Sequence, residues 1–339
     1  MTKAYRVAVV GATGLVGGEM IQVLEERGFP VSELLPLASV KSLGSVVHFQ
    51  DKDVDVQVAR PEAFENVDIA LFSAGGALSK ELAPEAAKRG AIVIDNSSAW
   101  RMDPEVPLVV PEVNAKAIAG YKTKNIIANP NCSTIQMVVA LAPLHAKAGL
   151  NRVTVSTYQA VSGAGREAMD ELREQVGLLF RGEDIEPAIF PHPIAFNAIP
   201  RIDVPSDDGY TKEEWKMVFE TRKIMDLPEL AITPTCVRVP VFNGHAESVI
   251  AEFDAPISVT EAREALKNGP GLFVQDEIEN DVYPTQLEVN GSDATCVGRI
   301  RPALGFDNGL AFWCVADNLR KGAASNAVQI AEVLVRDHL

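Results

Sequence analysis

The sequence predicts an α/β protein in which a doubly wound parallel sheet is joined to an α+β domain with a mixed sheet. Three observations predict this class. Apolar segments alternate with helical segments over the first third of the 339 residues, and a glycine-rich turn follows the first of them. After about residue 130, several apolar segments follow one another without a helix between them. A chain of this length fits two domains better than one.

Nearly continuous apolar segments in the first third are typical of strands buried on both faces of a parallel sheet. The predicted strands cover residues 6–10, 34–38, 67–72, 91–94 and 125–128. Apolar residues recur at helical spacing over residues 16–27 and 79–89, and Gly28 and Gly90 end these two helices.

The second domain is predicted to contain an antiparallel or mixed sheet, because its strands are adjacent in the sequence. We predict strands at residues 152–161, 235–241, 248–253, 295–301 and 310–316, and helices at 167–180, 213–225 and 260–267. Ser258 and Glu261 form a capping-box pattern before the last of these helices. Residues 203–209 are the best candidate for an exposed loop. The last predicted helix, 323–336, is expected to pack on the first domain. The predicted boundaries are therefore 1–130 with 318–339, and 131–317.

The formal net charge of −15 argues against a nucleic-acid partner, since binding a phosphate backbone needs clustered Lys and Arg. Small anionic ligands remain compatible with it. No apolar segment approaches the roughly 18 residues of a membrane span, and residues 1–6 lead into a strand without a signal peptide. The four cysteines are sparse and form no CxxC pair, so we expect a reducing compartment and no metal site. The expected location is the cytoplasm.

Cys132 lies at a predicted junction between a strand and a helix. It follows the strand at 125–128, in the segment NPNCST at 129–134, and an apolar helical stretch covers residues 135–144. Unpaired N–H groups and the helix dipole favour an anion at such a position. A free thiol, with a pKa of about 8.5, is only a few per cent thiolate at neutral pH, so this place favours its reactive form. The alternative is an inert buried cysteine.

The turn from Gly11 to Gly17 has the spacing GxxGxxG between the first strand and the first helix. Glycines allow close approach of a pyrophosphate, and the helix start supplies N–H donors, so this half is predicted to be Rossmann-like. An acidic residue after the second strand would favour NAD, but Glu33 precedes the predicted strand. Ser39, Lys41 and Ser42 follow it and suit a 2′-phosphate, so we expect NADP. The Tyr-xxx-Lys pair of short-chain dehydrogenases occurs at none of the five tyrosines.

Arg238 and His245 lie seven residues apart in the second domain. Gly244 beside the histidine indicates a loop position. Histidine has a suitable pKa for proton transfer near neutrality, although a histidine in a loop is more often structural.

Seven segments together match one enzyme family. They are GATG at 11–14, DNSSAWR at 95–101, VPEVN at 110–114, NPNCST at 129–134, QAVSGAG at 159–165, EEWK at 213–216 and NLRKGA at 318–323. On these segments, and over essentially its whole length, the chain resembles the bacterial aspartate-semialdehyde dehydrogenases. The resemblance implies an NADP-binding first domain, a catalytic and dimerisation second domain, and a homodimer.

The resemblance also implies an activity: NADPH-dependent conversion of L-aspartyl-4-phosphate to L-aspartate 4-semialdehyde and phosphate. This reaction belongs to the biosynthesis of lysine and diaminopimelate, threonine, methionine and isoleucine. By the resemblance, Cys132 forms a thioester, His245 is the acid/base and Gln159 orients the substrate. Arg238 would bind the α-carboxylate bidentately and Glu213 the ammonium group. The residues implied in phosphate binding are Arg101, Asn131 and Lys216.

The cofactor residues implied in this way lie in both predicted domains. They are Gly11, Thr13, Gly14, Leu15, Val16, Ser39, Lys41, Ser42, Ser162, Gly163 and Asn318. Lys41 departs from the family pattern, which commonly has Arg there, so the charge is kept while the planar fork is lost.

Two other interpretations remain open. Another acyl-phosphate reductase, such as N-acetyl-γ-glutamyl-phosphate reductase, would share the cysteine, the histidine and the hydride step. Its substrate carries no ammonium group, so it would not need Glu213. A non-catalytic dinucleotide-binding paralogue would not need Cys132, Gln159, Arg238 and His245, all of which are present.

Overall fold

The computed structural model describes residues 3–339. The chain divides into two compact units: one contains the residues up to Asn131 together with Ala323–Leu339, and the other contains Cys132–Gly322. Within the described residues, no helix is both long enough and apolar enough to span a membrane.

The first unit is built on a six-stranded sheet in which every pairing is parallel, in the order β5-β2-β1-β6-β7-β8. A separate antiparallel hairpin, β3–β4, was not predicted. The strands are β1 Tyr5–Val10, β2 Val31–Ala38, β3 Val46–Phe49, β4 Lys52–Asp55, β5 Gln57–Val58, β6 Ile69–Phe72, β7 Ile92–Asp95 and β8 Ile126–Ala128. The helices are α1 Leu15–Glu26, α2 Gly76–Lys88 and α3 Pro111–Asn114.

The second unit has a six-stranded mixed sheet in the order β10-β9-β11-β14-β13-β12, with parallel pairs at both edges. Its helices are α4 Cys132–Ala148, α5 Arg166–Phe180, α6 Lys212–Met225 and α7 Val259–Asn268. Its strands are β9 Leu150–Gln159, β10 Ala231–Arg238, β11 His245–Phe253, β12 Leu272–Val274, β13 Thr295–Pro302 and β14 Gly309–Ala316. The last helix of the chain, α8 Ser325–Asp337, belongs to the first unit. The predicted fold class, a Rossmann-like parallel sheet with an α+β domain, is confirmed.

Each unit has its own apolar core. In the first unit, α8 packs with α1 and β1 in a single cluster, which is the packing that we expected of the final helix. Members of this cluster from α8 include Ala327, Val328 and Ile330. In the second unit, α4 packs on one face of the mixed sheet beside α6 and α7. Both cores bury aliphatic side chains almost completely, which is the main stabilising term for domains of this size.

Two local predictions need correction. Glu33 lies inside β2, which begins at Val31, and its carboxylate pairs with Arg6 at 2.9 Å. His245 is the first residue of β11 and is buried, whereas we expected it in a loop. Gly244, at φ +86°, makes the left-handed turn that leads into the strand. The glycine therefore does indicate a turn, but the turn ends at Gly244 and does not include His245. The predicted capping box at Ser258 and Glu261 is confirmed.

Candidate functional site

Cys132 begins α4, the 17-residue helix that packs on the mixed sheet. Its thiol has intermediate exposure, whereas Cys236, Cys296 and Cys314 are buried. Gly322 lies against it, since a Cβ at that glycine would come within 2.8 Å of the Cys132 Cβ. The start of a long helix places backbone N–H groups and the positive end of the dipole at the thiol, which stabilises a thiolate.

Three polar side chains form one row across neighbouring strands of the mixed sheet, at the ends of these strands. Arg238 ends β10, Gln159 ends β9, and these two residues are partners in the register. Strand β11 runs antiparallel to β9 with Ala246 opposite Tyr158, which places His245 beside Gln159. The row therefore follows from where three strands begin or end.

His245 is fully buried, and the pKa of its imidazole is lowered to about 3. Burial is the largest cause and the Arg238 charge adds to it, while Glu213 and a backbone contact with Gly244 act in the opposite direction. Its Nδ1 accepts the Ala160 N–H at 3.0 Å, so the neutral ring carries its proton on Nε2. No other described group hydrogen bonds to Nε2.

Arg238 is 6% exposed, and its Nη1 donates to the Ala160 carbonyl at 2.5 Å. Among the described residues, no carboxylate lies within salt-bridge distance of it. Burial lowers the pKa of the guanidinium, and the charge of Glu213 partly offsets this. Arg238 also lines a cavity of about 430 Å³, together with Phe190, Arg201 and Asp203. A buried cation without a counter-ion is costly, so this position favours an anionic ligand.

Glu213 connects this row to a charged triad. Its Oε1 accepts from Gln159 Nε2 at 3.2 Å, and its Oε2 accepts from Lys216 at 2.8 Å. Lys216 also donates to Asp203 at 2.8 Å. Although burial opposes it, the two carboxylates raise the pKa of Lys216. Gln159 is held at its other end by Thr157, whose hydroxyl donates to Oε1 at 3.0 Å.

Gly163 leaves open the space in front of this row. A Cβ there would lie 3.1 Å from Arg238 Nη1 and 3.2 Å from His245 Nε2. Next to it, the Ser162 hydroxyl accepts from Asn318 Nδ2 at 2.9 Å, and Asn318 Oδ1 accepts the Gly244 N–H at 2.8 Å. Asn318 thus braces the backbone that carries His245, and a contact between Asn318 and the nicotinamide stays a prediction.

In the first unit, the turn after β1 has the geometry of a phosphate cradle. Gly11 has φ +85°, and a Cβ there would approach the Ser73 carbonyl oxygen to 2.8 Å. Gly14 caps α1 without any side-chain hydrogen bond to the first turn, which begins with Leu15 and Val16. Backbone N–H groups at such a helix start suit a pyrophosphate.

The expected 2′-phosphate residues lie beside this turn. The Thr13 and Ser42 hydroxyls are 3.1 Å apart. Ser39 caps the short 3₁₀ helix that contains Lys41 and Ser42. The residues present therefore fit a dinucleotide, with hydroxyls and one cation at the place where NADP carries its extra phosphate.

Arg101 and Asn131 also belong to the first unit, and both are largely buried. The Arg101 guanidinium donates to the carbonyls of Asn129 at 3.0 Å and Asn96 at 2.8 Å. These hydrogen bonds orient the guanidinium group.

Comparison with known proteins identifies the family. The model of the semialdehyde dehydrogenase NAD binding domain matches residues 6–121, and the model of the semialdehyde dehydrogenase dimerisation domain matches residues 141–321. The aspartate-semialdehyde dehydrogenase of Aquifex aeolicus is 58% identical over 99% of each chain. This chain belongs to the aspartate-semialdehyde dehydrogenase family. The resemblance inferred from its motifs is confirmed.

Other members agree at the level of sequence and structure. The aspartate-semialdehyde dehydrogenase of Bacillus subtilis is 52% identical over 100% of each chain. The crystal structure of aspartate semialdehyde dehydrogenase II from Vibrio cholerae, complexed with ASA, superposes with a TM-score of 0.98 at 50% identity and covers 100% of each chain.

The structure of this aspartate-semialdehyde dehydrogenase family member identifies two residues near the site whose roles the sequence did not indicate. Asp203 was assigned only to an exposed loop; the loop is exposed, but the Asp203 carboxylate pairs with Lys216. Gly322 lies in the matching segment at 318–323, but the sequence indicated no role for it. Only three-dimensional contact connects Asp203 with Lys216, because nothing in the spacing of these two residues indicates a pair.

Proposed function

We propose that this protein catalyses the NADPH-dependent reductive dephosphorylation of L-aspartyl-4-phosphate to L-aspartate 4-semialdehyde. The family relationship supports this activity, and the Vibrio cholerae relative is described as a complex with ASA. The observation that carries the proposal is the row of Arg238, Gln159 and His245 within the unit that begins with Cys132. The reaction would serve the synthesis of lysine and diaminopimelate, threonine, methionine and isoleucine.

In the first step, the Cys132 thiolate attacks the acyl carbon of the substrate. The bond from this carbon to the phosphate oxygen breaks, phosphate leaves with the electron pair, and a thioester remains on the sulfur. His245 contributes its Nε2 proton, which forms a hydrogen bond to the carbonyl oxygen as negative charge develops there. The low pKa of His245 keeps the ring neutral and this proton in place.

When bound, the dinucleotide supplies the hydride that brings the thioester to the aldehyde level. The oxygen is then an oxyanion again, and His245 stabilises it a second time through Nε2. As the carbonyl reforms, the carbon–sulfur bond breaks and Cys132 returns to the thiolate. His245 thus fills the acid/base position by donating a hydrogen bond from Nε2 to the oxyanion. The proton is on Nε2 again when the aldehyde leaves.

Recognition of the substrate rests on charges placed around the row. Arg238 binds the α-carboxylate, and its lack of a carboxylate partner within the described residues supports this role. Glu213 binds the ammonium group, and Gln159, hydrogen bonded to it, aligns the substrate with the thiol. We assign phosphate binding to Lys216 in the second unit and to Arg101 and Asn131 in the first.

An N-acetylated substrate is the second candidate, and Glu213 argues against it. Acetylation removes the positive charge of the substrate and leaves an amide in its place. A 5% exposed carboxylate, paired with Lys216, would then face this amide in place of a cation.

NADP is proposed as the preferred dinucleotide, held by Gly11, Thr13, Gly14, Leu15 and Val16 at the pyrophosphate. Ser39, Lys41 and Ser42 would bind the 2′-phosphate in the first unit. From the second unit, Ser162, Gly163 and Asn318 would contact the nicotinamide half. The observation that supports the preference is the cluster of hydroxyls and one cation at the end of β2, where NAD enzymes carry an acid.

We also propose a homodimer that works in the cytoplasm. The match of residues 141–321 to a dimerisation domain supports the dimer. Within the described residues, none of the four cysteines forms a disulfide, as is typical of a reducing compartment.

The direct test is the reverse reaction with purified protein, L-aspartate semialdehyde, phosphate and NADP. Formation of NADPH that requires both phosphate and aldehyde is the expected result. The Cys132→Ala variant is the matched control, and we expect it to bind NADPH but to produce none. NADPH formation by this variant would exclude the thioester mechanism. Activity only with N-acetyl-glutamate semialdehyde would assign the alternative substrate.

A further inference from the structure

Glu247 is a fully buried carboxyl group that the mechanism above does not use. It lies two residues after His245 on β11, so both side chains lie on the same face of the sheet. Neither of its carboxylate oxygens has a hydrogen-bond partner among the described residues. A buried carboxyl without a partner is unfavourable, so its position beside this row needs a physical explanation.

The sheet register places Glu247 in a second row, directly behind the first. Glu247 is opposite Thr157 on β9 and Cys314 on β14, and Thr157 is opposite Cys236 on β10. This second row lies one repeat of the sheet from Arg238, Gln159 and His245. It therefore lies under the part of α4 that follows Cys132.

Gln136 is the residue of α4 that faces this second row. It lies four positions after Cys132, so both side chains occupy the same face of the helix, one turn apart. Gln136 is 1% exposed, and neither polar atom of its amide has a partner among the described residues. An unsatisfied amide and an unsatisfied carboxyl are thus buried together, one on the helix and one on the sheet.

The electrostatics of Glu247 indicate which form it takes. Burial raises its pKa well above the usual range, and Gln136 is the group that counteracts this rise. The titratable groups that sense its charge from neighbouring strands are two thiols, Cys314 of β14 and Cys236 of β10. Within the described part of the chain, no cation contributes to this pKa. Complete burial without a cation favours the protonated form of the carboxyl.

A protonated carboxyl and a primary amide can satisfy one another completely. The acid O–H donates to the amide oxygen, and the amide N–H donates to the acid carbonyl. An ionised carboxylate could accept from the amide but could not donate, which would leave the amide oxygen facing a negative charge.

We propose that Glu247 is a positioning residue that pairs as a neutral acid with Gln136 and so fixes the start of α4, and with it the Cys132 thiol, over the row of Gln159 and His245. This inference rests on the proposed role of Cys132 as nucleophile. A hydrogen-bonded pair between helix and sheet sets both the rotation and the axial position of α4, which apolar packing leaves less specified.

Four variants test the pair. Glu247→Gln keeps a reciprocal pair with Gln136, whereas Glu247→Leu leaves Gln136 without a partner. Gln136→Leu with Glu247→Leu replaces both groups by apolar side chains and removes the unsatisfied amide. Thr295→Val is the matched control, because Thr295 is a fully buried residue of β13 whose hydroxyl has no described partner.

The measurements are kcat, KM and the rate of Cys132 carbamidomethylation, followed by mass spectrometry of its peptide, at protein concentrations corrected for folded fraction. We expect Glu247→Leu and the double variant to lose roughly 10- to 100-fold in kcat, as a misplaced nucleophile does, with little change in KM. The double variant should regain thermal stability without regaining kcat. Glu247→Gln and Thr295→Val should stay within about threefold of the unchanged protein.

Several outcomes would overturn the proposal. One is a double variant with unchanged kcat and alkylation rate, which would make the pair merely structural. Another is Glu247→Gln with a kcat as low as that of Glu247→Leu, which would mean that the carboxyl itself is required. If the unchanged protein shows no turnover with aspartate semialdehyde, the proposed function fails instead. The alkylation rates of Cys132 still decide the positioning role in that case.

Discussion

Arg238 shows how one side chain can define a ligand. The fold buries its guanidinium, hydrogen bonds one nitrogen to a backbone carbonyl and, in the described part of the chain, supplies no carboxylate. Two parallel N–H groups of a guanidinium match a carboxylate, whereas an ammonium group offers a single point charge. The geometry of the residue, as well as its charge, therefore matters for substrate binding.

Replacing Arg238 by Lys should lower kcat/KM by roughly 10- to 100-fold, because about one charge-assisted hydrogen bond is lost. Steady-state kinetics with aspartate semialdehyde measures this loss. Arg201→Lys is the control, since Arg201 lines the same cavity but is exposed. An unchanged kcat/KM in Arg238→Lys would remove Arg238 from the substrate site.

His245 makes the stability of the protein depend on pH. Its pKa is about 3 in the folded protein against about 6.5 in the unfolded chain. The unfolded state therefore binds the extra proton first, and the stability that the neutral ring contributes above pH 6.5 is lost as the pH falls from 6.5 toward 3. The slope approaches about 1.4 kcal/mol per pH unit for a single proton.

Urea unfolding of the unchanged protein and of His245→Gln, between pH 4 and pH 7.5, tests this dependence. The glutamine does not titrate, so the difference in the free energy of unfolding between the two proteins should shrink or reverse as the pH falls. Two curves that stay parallel over this range would show that His245 titrates normally in the folded protein.

The elements of the second unit place their chemistry at their ends. Arg238 and Gln159 close two strands, His245 opens a third, and Cys132 opens a helix. A residue at the end of an element has a backbone fixed on one side by regular hydrogen bonds, while its side chain faces open space. Short helical segments beside these ends then need glycine, as at Gly163 in a 3₁₀ helix and Gly322 in a π-helix, because a methyl group would fill that space.

Gly322→Ala should displace the start of α4, because the new Cβ would lie 2.8 Å from the Cys132 Cβ. We expect kcat to fall at least about tenfold, with a slower alkylation of Cys132 and NADPH binding retained. Gly291→Ala is a useful comparison for backbone strain alone, since Gly291 has φ +79° and open space around it. If Gly322→Ala and Gly291→Ala had the same kcat, the contact between Gly322 and Cys132 would not be what positions the thiol.

At the scale of the whole molecule, the sequence predicted the larger features best. Apolar segments and glycine stops identified most strands and helices, because burial on both sheet faces demands long apolar runs. The hairpin β3–β4 was missed, since most of its residues are exposed and its apolar residues form no long run. Spacing could not connect Asp203 with Lys216, because this ion pair depends on how α6 lies against the loop that contains Asp203.

The dimer proposed for the whole molecule has a simple physical signature. Light scattering of the purified protein should give about 73 kDa, twice the 36.5 kDa of one chain. On the outer face of the mixed sheet, the Tyr158 and Trp313 rings lie 5.3 Å apart at an angle of 49°, and Tyr158 is 36% exposed, which suits a protein interface. A mass of one chain at micromolar concentration would exclude a stable dimer.

The unequal burial of the four cysteines has a practical consequence. Burial raises the pKa of Cys236 and Cys314, and raises that of Cys296 to about 11, so these three thiols stay protonated and shielded. An electrophile in solution therefore meets one reactive sulfur per folded chain. The stoichiometry of its uptake becomes an active-site titration that counts competent molecules in any preparation, and a covalent ligand aimed at this sulfur would have few competing targets within the same protein.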